Sequence, residues 1–268
     1  MDESTPVARA LAAVRRRCVG PPSPAMPRPA NSLARVVVHF HPDRLFRGQS
    51  LLSALAASGV YDSQFVTGTS NGGLTAFPGG DRFRWESRIF EGAYDDARPE
   101  ERPKYGALSL AERGDAGYGA APRFGSAYLR LKPEVMERTT FCRPDSVFLP
   151  EHFGHAGDLS ALAGVKIPSD DPLDDYTEAH VHGPLIIARD VEAIVLDPSF
   201  EGDLVAEEAR LLAPVAWHWR RSRRQDHAMP PQKNPAELGP AMLIAALYAL
   251  ILFVLAAARR YLGHDALY

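Results

Sequence analysis

The alternation of apolar and polar side chains is sharpest in two short stretches. Along residues 35–44 (RVVVHFHPDR), Val36, Val38 and Phe40 alternate with Val37, His39 and His41. Side chains of a strand point to opposite faces with a period of two, so this spacing predicts a strand with one apolar face and His39 and His41 on the other. Residues 176–185 (YTEAHVHGPL) repeat the arrangement, with Ala179 and Val181 on one face and Glu178, His180 and His182 on the other. A carboxylate and two imidazoles are costly to bury without partners. That second face is therefore expected to line a solvated cleft or to sit in a hydrogen-bonded network. If the two strands are neighbours, one cleft holds four imidazoles and Glu178.

Other patterns place further elements around this pair. Residues 6–17 read as a short helix, followed by a proline-rich stretch, and residues 49–58 space Leu51, Leu52, Leu55 and Ala56 as a helix does, with Gly59 to stop it. Residues 60–66 read as a strand entering a glycine and hydroxyl loop, Thr67 to Gly73. Turn-plus-strand signals recur at 102–110 and 122–131. Further strands are expected near 138–141 and 191–196, with a short helix over 158–165. Short strands with a few helices imply an α+β domain over residues 31–218. Residues 1–30 form an N-terminal helix and linker, and residues 219–240 a basic, proline-bearing linker.

Composition changes this picture mainly at the ends. At 268 residues and 46% apolar content, one domain with appendages is expected, and a net charge of −3 gives no preference for nucleic acid. Cys18 and Cys142 make neither a disulfide framework nor a metal knuckle, which implies a reducing compartment. The first 20 residues are charged and amphipathic, unlike a secretory signal. Residues 241–258 (AMLIAALYALILFVLAAA) contain no charge, which predicts a membrane-spanning helix of minimal length. Arg220, Arg221, Arg223, Arg224 and Lys233 outnumber Arg259 and Arg260 across it, so the main domain is expected on the cytosolic face, held by a single C-terminal anchor.

The candidate chemistry centres on Glu178 and the histidines. His152 and His155 add two more imidazoles, and the paired His-x-His strands raise a metal-dependent hydrolase built on His39, His41, His180 and His182. The ligand spacing of Cys/His metal signatures is absent, so no metal is expected in the leading assignment. A non-catalytic binding module is a third class. The loop at Thr67, Thr69, Ser70 and Asn71, with Gly68, Gly72 and Gly73, offers a backbone nest for an anion but matches neither the phosphate loop nor the dinucleotide fingerprint.

The motifs VHFHPDR, YDSQFVTGTSNGGL, GGDRFRWESRIFEGAYD, RPKYGAL, PRFGSAYLRL and EAHVHGPL, over about residues 34–200, resemble a bacterial family of unknown function. They also resemble, more distantly, the ADP-ribosyltransferase superfamily. That resemblance implies an α+β fold with a split β-sheet and short helices, and NAD as substrate. It matches His39, with His41 as the alternative, to the Arg or His of a first core strand. Thr67, Thr69 and Ser70, or else Tyr105, match the middle element, and Glu178 matches the glutamate of a later strand. By this resemblance Glu178 and His39 are catalytic, and His41, Thr67, Thr69, Ser70 and Tyr105 bind the dinucleotide. Tyr176 stands where arginine-modifying members carry an acidic residue, so arginine specificity is not implied. The acceptor is left open between protein and nucleic acid.

Overall fold

The computed structural model describes residues 4–18, 34–68, 75–110 and 120–218. All of them fall in the first of two compact units, Met1–Arg221 and Ser222–Tyr268. In chain order the elements are α1 (Pro6–Arg17), β1 (Arg35–Phe40), β2 (Leu45–Phe46), β3 (Gln49–Ser50), α2 (Leu51–Ser58), β4 (Val60–Tyr61), α3 (Gln64–Thr67), α4 (Asp81–Ile89) and β5 (Lys104–Ser109). There follow β6 (Ala127–Leu131), β7 (Thr139–Arg143), β8 (His152–His155), β9 (Glu178–Val181), β10 (Leu185–Ile186), α5 (Ile187–Asp190), β11 (Val191–Leu196), α6 (Leu204–Leu212) and β12 (Val215–Trp217).

Local chemistry accounts for the helix boundaries. Thr5 accepts a hydrogen bond from the Ala8 amide, Pro6 opens α1, and Arg15, Arg16 and Arg17 sit in its last turn, where the helix dipole favours cations. Ser50 caps α2 and Gly59 closes it with a left-handed φ of 67°. Ser63 caps α3 in the same way, which turns the chain into a helix at Phe65 and Val66, where a continuing strand was expected. The expected helix over 158–165 shrinks to a single 3-10 turn, Ser160–Leu162.

Eight strands form one sheet in the order β12-β11-β6-β1-β5-β9-β7-β8. This corrects the expected split sheet. β1 pairs antiparallel with β5 on one side and β6 on the other, and β6 continues to β11, so hydrogen bonding runs unbroken across the domain. The expected C-terminal hydrophobic helix, residues 241–258, lies outside the described residues. Among the described residues no helix is long and apolar enough to cross a membrane.

One face of the sheet carries the main core. Val36, Val38, Phe40, Leu129, Ala179, Val181 and Ile194 pack there against Leu52 and Leu55 of α2 and Ala206 and Ala209 of α6. The opposite face carries the polar residues. It is covered in part by a second cluster in which Ala10 and Val14 of α1 meet Ile89, Phe90 and Tyr94 over Cys142 and Phe153.

Candidate active site

The alternation expected from sequence is what the sheet shows. Val37, Ala107, Glu178 and Cys142 stand in one row across β1, β5, β9 and β7, and Tyr105, His180 and Thr140 stand in the next. Both rows lie on the polar face. The two histidine strands are not neighbours: β5 separates them and puts Tyr105 between them. A cavity of about 730 Å³ opens here, lined among others by His39, His41, Thr67, Arg82, Tyr105 and Glu178. Its size is that of an ordinary small-molecule site.

Glu178 is buried at the cavity wall and held from behind. Its Oε1 accepts a hydrogen bond from His180 Nε2 at 2.8 Å and its Oε2 accepts one from Ser146 Oγ at 3.1 Å. The Arg82 guanidinium lies 4.0 Å away. Burial pushes the carboxyl up, but the His180 hydrogen bond, the nearby charge of Arg82 and the Ser146 hydroxyl more than offset it, leaving the group below its ordinary value and ionised. Behind His180 the chain continues: Thr140 Oγ1 lies 3.2 Å from His180 Nδ1 and 2.9 Å from His182 Nε2, and Tyr94 Oη lies 2.7 Å from His182 Nδ1. With His180 donating to Glu178, every member is satisfied if Tyr94 donates to His182, His182 to Thr140 and Thr140 to His180. Burial keeps His182 neutral, and the Phe90 ring stands edge-on to both imidazoles at 5.2 Å.

His39 is a prop for the wall. Nδ1 donates to the Gly125 carbonyl at 2.9 Å and Nε2 accepts from the Ala121 amide at 3.2 Å, while burial lowers its pKa to about 4. The turn that receives it requires glycine: Gly125 has φ 137°, and a Cβ there would lie 2.0 Å from the Phe40 carbonyl oxygen. Gly125→Ala is expected to cost at least about 2 kcal/mol and lower the thermal midpoint by roughly 4 °C or more. An unchanged midpoint in a thermal scan would contradict this.

Helix α4 supplies two residues that motif spacing did not single out. Arg82 stacks over the Tyr105 ring at 4.0 Å, donates to Ser146 Oγ at 2.9 Å, and keeps a buried Nε without a hydrogen-bond partner among the described residues. Glu86, one turn later on the same face, accepts from Tyr105 Oη at 2.8 Å and pairs with Arg102 at 2.6 Å. Arg102 in turn lies between the rings of Phe65 and Phe83. Burial pushes the Glu86 carboxyl up to about 7, against the opposing pull of Arg102 and Tyr105. The folded chain therefore binds this proton more tightly than the unfolded chain, whose value is 4.5. The associated stability is fully present below that value and is lost as the pH rises through about 7, by up to roughly 3 kcal/mol. Denaturation midpoints at about pH 5 and pH 8 are expected to differ less in Glu86→Gln than in the unaltered chain; equal differences would exclude Glu86 as the cause.

Of the residues expected from sequence, the cavity brings together Glu178, Tyr105, Thr67, His39 and His41. Thr69 and Ser70 lie outside the described residues. The four imidazoles of the hydrolase alternative do not converge: both His39 nitrogens are engaged by backbone, and His180 and His182 bond to Glu178, Thr140 and Tyr94. Arg82, Glu86 and Ser146 were missed. The i,i+4 spacing of Arg82 and Glu86 was the available signal, whereas Ser146 reaches Glu178 from a turn after β7 that no local pattern marks.

Residues 35–163 match the model of a family described as a protein of unknown function (DUF3626), and residues 204–268 match one described as a domain of unknown function (DUF4010). The first match bears out the expected likeness to a family of unknown function, over a shorter span than 34–200. The second covers the C-terminal stretch, which lies beyond the span 34–200. Neither description names an ADP-ribosyltransferase, and no curated protein matches the chain.

Proposed function

We propose that the cavity binds NAD and that the chain cleaves its nicotinamide–ribose bond, passing ADP-ribose to water or to an acceptor. The observation that carries this is the placement of an ionised, hydrogen-bonded Glu178 beside Tyr105 on one wall of a cavity large enough for a nucleotide. Cleavage develops positive charge on the ribose ring, and a fixed carboxylate stabilises that charge more than it stabilises the ground state. Tyr105, on the cavity wall, offers the nicotinamide an aromatic contact. Arg82 and Arg44, both on the cavity wall, supply charge for the pyrophosphate. His41 takes the ribose-reading role, because it lines the cavity with no side-chain hydrogen-bond partner among the described residues, whereas His39 is already engaged.

The test is to incubate the full-length protein with NAD labelled in the nicotinamide and, separately, in the adenylate. Free nicotinamide with free ADP-ribose marks hydrolysis, and adenylate label retained on macromolecule marks transfer. Neither product, across candidate protein and nucleic-acid acceptors, would overturn the proposal.

A further inference from the structure

Behind the cavity wall, three side chains of different chemistry meet. Cys142 Sγ lies 3.8 Å from Glu178 Oε1 and 3.8 Å from His180 Nε2, and those two atoms are 2.8 Å apart. Among the described residues, these three form a group able to hold a metal ion. Zinc bonds of about 2.3 Å to sulfur and about 2.0–2.1 Å to nitrogen and oxygen, at the tetrahedral angle, set ligand atoms about 3.3–3.6 Å from one another. The observed triangle closes on that geometry with shifts of about half an ångström.

We infer that Cys142, Glu178 and His180 form a site for a divalent cation of the zinc class, reached through Glu178, the one of the three that lines the cavity. One sulfur, one imidazole and one carboxylate suit zinc and cobalt, and not the all-oxygen preference of calcium or magnesium. Thiolate and carboxylate together carry two negative charges, which balance the cation in a site otherwise closed to water. Binding releases one proton, from the Cys142 thiol. His180 must then present a lone pair at Nε2, which moves its hydrogen to Nδ1, facing Thr140 Oγ1. Thr140 and Tyr94 each donate and accept, so the chain through His182 runs in either direction, and Thr140 becomes the outer partner that orients the ligating imidazole.

The consequence for the active site rests on the proposed cleavage of NAD. A cation on Glu178 withdraws the carboxylate from the ribose, so metal occupancy and turnover exclude each other. Buried metal is then a means of silencing the enzyme, with the cavity as its route of entry.

Full-length protein, freed of metal by chelation, is titrated with cobalt(II). The expected result is a near-ultraviolet thiolate-to-cobalt charge-transfer band saturating at one equivalent and displaced by zinc. The band is lost in Cys142→Ser and in His180→Gln and kept in Cys18→Ser, with circular dichroism to show that each variant is folded. No band, or a band that survives in folded Cys142→Ser, overturns the site. In the same samples one equivalent of zinc is expected to reduce nicotinamide release at least tenfold, reversed by chelator. Undiminished release beside a saturated band overturns the silencing role. A saturated band with no NAD cleavage even in metal-free protein upholds the site and counts against the NAD proposal alone.

Discussion

Glu178→Gln is expected to lower kcat for nicotinamide release by about 100-fold to 1,000-fold while changing KM by less than about threefold. The asymmetry follows from where the carboxylate acts. Glutamine keeps the size of the side chain and an oxygen that accepts from His180, while its amide NH2 can donate to the Ser146 hydroxyl in place of accepting from it, so ground-state binding is preserved. The negative charge is what disappears, and in the proposed cleavage of NAD it matters most as the ribose becomes cationic. Steady-state kinetics of both proteins with NAD checks this. A large rise in KM with kcat intact would make Glu178 a binding group, and equal kinetics would remove it from the chemistry.

The largest effect on stability is expected one layer away. Glu86→Ala leaves the Arg102 guanidinium buried between two phenylalanine rings with its carboxylate partner gone, and breaking a buried pair from one side costs about 3–5 kcal/mol. The same change strips Tyr105 of its hydroxyl's acceptor at the cavity wall. Replacing both members, as in Glu86→Leu with Arg102→Met, is expected to recover most of the loss, because no uncompensated charge remains. Chemical denaturation at about pH 8, where the carboxyl is ionised, measures both variants. A double variant as unstable as Glu86→Ala would show that packing, and not charge, dominates at this position.

The period-two pattern made the two polar strand faces legible, because alternation is a local property of extended chain. Which strands neighbour each other was not, since pairing depends on contacts distant in sequence. Tyr105 came to stand between the histidine strands through the β1–β5–β9 order, which no spacing in either stretch encodes. The histidine face was expected to meet water or a network, and the structure divides it. Glu178 reaches the cavity, while His180 and His182 are sealed by Phe90 and Tyr94, residues about 90 positions earlier. Four imidazoles that suggested a metal cluster in sequence were dispersed by backbone and hydroxyl partners. Cys142, set aside as an isolated cysteine, was brought to Glu178 and His180 by the β7–β9 pairing. Helix α4 has too few apolar positions to mark a buried face, so Arg82 and Glu86 gave little sign of their place at the site.

The most direct test of the central claim measures NAD binding and nicotinamide release side by side, in full-length wild-type protein and in Glu178→Gln. Both are expected to bind NAD with dissociation constants within a few-fold of each other, and only the wild type to release nicotinamide at an appreciable rate. Release at the same rate from both, or no binding by either, would contradict it.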